Sequence, residues 1–500
     1  MVDAAPFSSA ASGNAGNADD RLAADGATLW PLIGRVVAAH VVMLREAGVL
    51  DDAAAAAVLT ALDGVTRGVP AGDQRESPGT VGLIAAFEGR LDALTARGAV
   101  GAGALGRARI ETAAAIWRLT LRDDLLAAMA ATAAARRSLL NLAGEQVFTL
   151  MPTFAGSQAV QPTNLAHFLG GTIAPLARAA ERLRAAYAEV NRGPLGAGAL
   201  ASTGVPIDRE RAAALLGCDG TVAGSFDAVA AVDHLALAAE TAAAIAATLR
   251  RLLSELLTWR RADPESFRLG KTAAPVVDPG LPGFRPPVAL ERLVADARRL
   301  EADAASVVRL VAEAPYGPAV AALDDGGALA SATLRGTAAL AERTAGLVAA
   351  LEVNRAYLAH RAGRDHTTSG DLALFLIGEE GLDAAAAREI TLMTVRRAIE
   401  QGLEASGITP QMIDGAALLV IGRELGIEVE NLGHWLAPRR YLERRGASGG
   451  PAPAAVRDDL TREREVLLAD ERWREERHGR LASAAAELER AIAEITAATD

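Results

Sequence analysis

Two stretches of this chain leave it little choice of architecture. From Arg107 to Ala143, and again from Phe226 to Asp263, there is neither a glycine nor a proline. In the first, Ile116, Leu119, Leu126 and Met129 recur near helical spacing. At ~1.5 Å per residue each stretch predicts a helix of roughly 55 Å, well beyond the ordinary globular length. Two further runs, 288–314 and 327–362, also predict helices, the second with Gly336 and Gly346 inside it. Aromatic residues make up only 4% of the chain and alanine is abundant. Small side chains favour helix and let helices approach closely. No strand-like alternation is evident. The expectation is an all-α protein built around a bundle of long helices.

Glycine and proline divide the rest. Residues 1–20 are small and polar and read as a disordered leader; they lack the basic and apolar regions of a secretory signal. Residues 21–105 predict an N-terminal domain of shorter helices, 106–355 the central bundle, and 356–500 a C-terminal helical domain. In the last, "GASGGPAPAAV" turns the chain before a charged helix over 456–498. The mixed charges of 462–480 read as a solvated helical face. Two breaker-rich segments, 193–208 and 270–287, are expected as loops. Loops between long helices are where a site element or lid belongs.

The net charge is −11, which lacks the basic footprint of a nucleic-acid binder. A single cysteine, Cys218, rules out an internal disulfide framework and fits a reducing cytoplasm. Charged residues interrupt the apolar stretches before they reach membrane-span length, so no membrane partner is expected. His234, His360, His366 and His434 have no metal-ligand spacing. Neither a metal nor an organic cofactor is expected.

Six segments carry a resemblance, in order. They are "AHVVMLREAGVL" (39–50), "GRARIETAAAIWRLTLRD" (106–123), "MPTFAGSQAVQP" (151–162), "GPLGAGALASTGVPIDRERAAALLG" (193–217), "SFDAVAAVDH" (225–234) and "TTSGDLALFLI" (367–377), the last followed by "AREITLMTV" (387–395). Together they resemble argininosuccinate lyase, of the fumarase/aspartase superfamily, over roughly residues 35–430. The resemblance implies a three-domain helical subunit and a homotetramer with a twenty-helix core. It implies active sites each built from three subunits, acting on a small carboxylate substrate. The implied reaction is β-elimination: a base removes a proton beside a carboxylate, and a carbon–nitrogen bond breaks to release fumarate.

Residue by residue the match is uneven. The family reads Met-Pro-Gly-Tyr-Thr-His-Leu-Gln-x-Ala-Gln-Pro where this chain has 151–162. Gln158, Gln161 and Pro162 match, but the substrate-binding Thr falls on Ala155 and the acid–base His on Gly156. His167 falls on a non-catalytic family histidine. The family's Gly-Arg-Ser-Arg-Asn-Asp-Gln aligns with 106–112. Arg107 and Arg109 survive as candidate substrate-binding residues, whereas Ala108 and Ile110 replace the Ser and Asn, and Glu111 follows. Ile110 removes a donor and adds apolar bulk, which disfavours a plain succinyl group. The signature loop Gly-Ser-Ser-x-Met-Pro-x-Lys-x-Asn-Pro aligns with "VDPGLPGFRPP" (277–287). Its catalytic Ser falls on Asp278, its Lys on Phe284 and its Asn on Pro286, and no serine lies between Phe267 and Ala305. Asp278 is therefore the candidate base, with Lys271 and Arg285 as candidate anion-binding groups.

Such an elimination needs a base, an acid for the leaving nitrogen and donors for the carboxylates. Without the family's groups, argininosuccinate cleavage is not expected. Three readings stay open: a diverged carbon–nitrogen lyase, a cycloisomerase-type enzyme on the same fold, and a catalytically silent homologue.

Overall fold

A computed structural model describes residues 15–67, 79–95, 98–156, 158–270, 280 and 286–498. The chain opens with α1 (Ala15–Glu46), α2 (Asp52–Thr66), α3 (Thr80–Leu94) and α4 (Ala99–Gly103). Most of the 1–20 stretch lies outside the described residues, but helix already begins at Ala15. The Thr28–Glu46 segment of α1 is long and apolar enough to cross a membrane by composition. In the fold its Trp30, Ile33, Val36 and Val42 are fully buried among other helices, so its apolarity is that of a core helix.

The gapless run 107–143 forms α5 (Arg109–Glu145), a 37-residue helix. A hairpin follows, β1 (Leu150–Ala155) and β2 (Gln158–Asn164), then α6 (Leu165–Val190), α7 (Arg209–Leu215) and α8 (Ser225–Ala230). The second gapless run is not one helix. Ala231 is extended, and α9 (Asp233–Ala262) starts after it as a separate 30-residue helix. Next come β3 (Phe267–Leu269), α10 (Val288–Glu313) and α11 (Val320–Ala349). The helix expected over 327–362 starts earlier and stops at Ala349. There the backbone extends into β4 (Leu351–Val353), which pairs antiparallel with β3. The chain ends with α12 (Arg355–Ala362), α13 (Gly370–Gly378), α14 (Ala384–Glu400), α15 (Pro410–Ile421), α16 (Val429–Leu436), α17 (Pro438–Glu443) and α18 (Pro453–Ala497).

Helices α5, α6, α9, α10 and α11 make the central bundle. Side-chain pairs fix its directions. Trp117 meets Asp324 and Asp124 meets Ser331 and Arg335, so α5 and α11 run parallel. Arg118 Nη1 donates to the Glu189 carbonyl at 2.8 Å, so α6 runs back along α5. Close approach needs small residues: a Cβ at Gly327 would lie 2.5 Å from the Trp117 ring. Buried Arg122 donates to the Leu216 carbonyl at 2.9 Å, and such partners are what let a charge be buried.

The helices after residue 355 do not share one core. Leu372, Phe375, Ile390, Ile413 and Leu432 form a separate small cluster. Helix α18 instead returns to the main core through Val456, Leu460, Leu467 and Leu488. Its charged stretch 462–480 is solvated on one side only, because Asp470 is buried between Arg136 and Arg184.

Candidate active site

Among the described residues, those proposed to bind substrate fall into two groups at opposite ends of α5. The first group surrounds its N-terminus. Gly106 turns the chain with φ +70°, and a Cβ there would press on Thr203 and Val205 at 3.3 Å. Arg107 points inward, with 2% of its side chain exposed. Its Nη2 donates to Glu88 at 3.1 Å, and Arg109 Nε donates to the other Glu88 oxygen at 2.8 Å. Arg109 is 53% exposed, so it is the arginine that can reach a ligand. Burial lowers the Arg107 pKa, and the carboxylates of Glu88 and Glu111 oppose that shift. Among the described residues, Arg107 Nε and Nη1 have no hydrogen-bond partner.

Glu111 is fully buried and binds backbone. It accepts the Ala108 N–H at 2.7 Å and the Gly198 N–H at 2.9 Å. Burial raises its pKa, and the N–H donors and Arg107 pull it back. The carboxylate thus ties the arginine-bearing turn to the glycine-rich loop 193–208. In that loop Gly198 takes φ +61°, and a Cβ would lie 2.5 Å from the Ser202 carbonyl oxygen. Ile110 packs with Ala197, Val229 and Leu200 in a small apolar cluster. It is half-buried against the loop.

The second group lies about 55 Å away, at the other end of α5. The segment 151–164, where the sequence shows no strand-like alternation, is a β-hairpin. Pro152 faces Pro162 across it, and the register slips after Thr153. Gln158 and Gln161 are both exposed, and the Gln161 carbonyl accepts the Thr153 hydroxyl at 3.0 Å. Gly156, at the turn, takes φ +63°, a conformation that favours glycine over histidine.

His167 serves as a brace. Its Nε2–H donates to the Gly449 carbonyl at 3.1 Å, and Nδ1 meets the Thr163 hydroxyl at 2.9 Å. Beside it, Asn164 caps α6 by accepting the His167 N–H and donates to the Pro451 carbonyl at 2.6 Å. The hairpin also leans on the end of α9, where Phe154 and Phe168 pack against Trp259.

Asp278, Lys271 and Arg285 lie outside the described residues. The chain leading into that segment is fixed near the hairpin. Gly270 packs so closely on Ala350 that a Cβ would lie 2.8 Å from its carbonyl oxygen. The Asn354 N–H donates to the Ser266 carbonyl at 3.0 Å, and α12, which follows Asn354, packs against β1. Sequence reasoning missed Glu88, the shared partner of both arginines; nothing in "FEGR" marks it.

A family model described as Lyase matches residues 37–299. Argininosuccinate lyase from Natronomonas pharaonis is 33% identical, over 91% of this chain and 89% of its own length. The enzyme of that name from Methanoculleus marisnigri is 31% identical, over 89% of each chain. Among solved structures, an EDDS lyase variant with bound fumarate superposes with a TM-score of 0.85 at 28% identity. That match covers 94% of this chain and 92% of the other. The chain belongs to this lyase family, as an argininosuccinate lyase-like member of the fumarase/aspartase superfamily with its helical-bundle fold.

Proposed function

We propose that the protein is a cytoplasmic carbon–nitrogen lyase of amino-acid metabolism, acting on a carboxylate-bearing substrate other than argininosuccinate. It works as a homotetramer with composite active sites. One observation carries the composite site: Arg109 and Gln161 stand at opposite ends of a 37-residue helix within one subunit. No ligand of metabolite size spans ~55 Å, so if both bind one substrate, a partner copy supplies one of them.

In this reading Arg109 holds a substrate carboxylate, with Arg107 and Glu88 fixing its direction. Gln158 and Gln161 supply donors from another subunit. Asp278 removes the proton beside the carboxylate, the electron pair of that C–H bond forms the double bond, and the C–N pair leaves with the substrate nitrogen, which is already protonated and departs as the neutral amine. Lys271 or Arg285 holds a substrate anion. Ala155 and Gly156 offer no proton-transfer group. The likeness to an EDDS lyase with bound fumarate supports fumarate as one product and an amine other than arginine as the second.

The test runs the reaction in reverse. Purified protein is offered fumarate with a panel of primary amines and amino acids, and loss of fumarate absorbance is followed. At least one amine should support consumption, while argininosuccinate is cleaved at a rate near background. Turnover of argininosuccinate at ~1–10³ s⁻¹ would restore the family's own substrate. Silence with every amine would favour a cycloisomerase or a non-catalytic homologue.

A further inference from the structure

The C-terminal helices enclose a cavity that the lyase reading does not use. A cleft of about 870 Å³ opens where the end of α12, the start of α15 and α16 meet, within the usual size of small-molecule sites. Its lining joins one guanidinium, Arg364, and one carboxylate, Glu404, to the apolar side chains of Ile408, Leu432 and Leu436.

The two charged groups already lie together, Arg364 Nε donating to Glu404 at 3.3 Å. Both remain nearly half exposed, which leaves donors and lone pairs for a ligand. The other Glu404 oxygen accepts the Asp365 N–H at 2.8 Å. That bond holds an unusual turn: Asp365 and His366 take φ +56° and +57° in succession. Side chains other than glycine rarely adopt this conformation, and such strain gathers at ligand clamps.

We propose that the cleft binds a small α-amino acid with an apolar side chain. Arg364 takes its carboxylate, Glu404 its ammonium group, and Ile408, Leu432 and Leu436 its side chain. Paired opposite charges beside an apolar wall match that zwitterion and disfavour a simple anion or amine. The cleft also has a route to the hairpin, because α12 ends at its rim and packs against β1.

Titration calorimetry of the full chain with L-leucine tests this. Saturable binding at one site per subunit is expected. Isocaproate and isoamylamine, each lacking one charge, should bind at least about tenfold more weakly, as should leucine to Glu404→Gln. Because Glu404 also holds the turn, a second variant separates binding from folding. Gly433 lines the cleft, and a Cβ there meets nothing within 4 Å. Gly433→Leu should fill the space and favour the helix, abolishing leucine binding without lowering the melting temperature. No saturable binding up to about 10 mM leucine, or binding that Gly433→Leu leaves unchanged, overturns the proposal.

Discussion

Glu111 Oε2 accepts the backbone N–H of Gly198 at 2.9 Å, so the first turn of α5 holds the glycine-rich loop through one buried carboxylate. Glu111→Ala leaves that N–H and the one of Ala108 without their acceptor. It should cost ~1–3 kcal/mol, read from urea denaturation. The pH dependence has a definite sign. Burial raises the Glu111 pKa in the folded state, so the folded chain keeps this proton to higher pH than the unfolded chain does. Between the ordinary carboxylate pKa and the raised value, stability therefore falls as pH rises. Glu111→Gln should flatten that part of the profile; an unchanged slope would mean that another group titrates there.

His40 has the opposite sign. It is buried, and Nε2–H donates to the Leu105 carbonyl at 2.9 Å. Burial and the charge of Arg107 push its pKa down to about 3. Between its ordinary value near 6.5 and that value the unfolded chain binds more protons. Stability should thus fall as pH drops through the window. His40→Gln keeps a donor for Leu105 and should make the acid limb shallower. If the limb is as steep as in the wild type, His40 is not its source.

Asp470 accepts from Arg136 of α5 and Arg184 of α6, and it is 3% exposed. Asp470→Asn removes the nearer counter-charge of buried Arg136 and leaves only Glu463, 3.6 Å away. A loss of about 3–5 kcal/mol is expected in chemical denaturation. A loss below about 1 kcal/mol would place the α18 contact among ordinary surface pairs.

The first long helix was legible because its run carries no breaker and keeps the helical period, and α5 falls within two residues of it; the second run, equally free of breakers, still breaks at Ala231. The hairpin was not. Pro152 and Pro162 face each other in it, and proline argues against a strand because it cannot donate to the ladder. Strand β4 was hidden in the same way: "LEV" reads as helix until Phe267–Leu269 lies beside it. The family resemblance located both ends of the candidate site. It could not show that Arg107 turns inward onto Glu88, since a pairing across nineteen residues leaves no mark on local pattern. Nor did composition reveal that Asp470, amid solvated charges, would be buried.

Asp278 is the residue on which the proposed proton chemistry rests. Asp278→Asn keeps the size of the side chain and removes its basicity. With an amine that supports fumarate consumption, the variant should lose turnover by ~10²–10⁴-fold and keep its assembly state. Full activity would move the base elsewhere.

The composite site has the most direct test. Arg109→Ala and Gln161→Ala are each purified as tetramers, and each should consume fumarate far more slowly than the wild type. The two are then dissociated together and reassembled. If Arg109 and Gln161 serve one site from different subunits, random assortment restores both residues in up to about a quarter of sites. Fumarate consumption should then return to about that fraction of the wild-type rate. If the mixture stays as slow as either variant alone, the two ends of α5 do not meet in a shared site and the account fails.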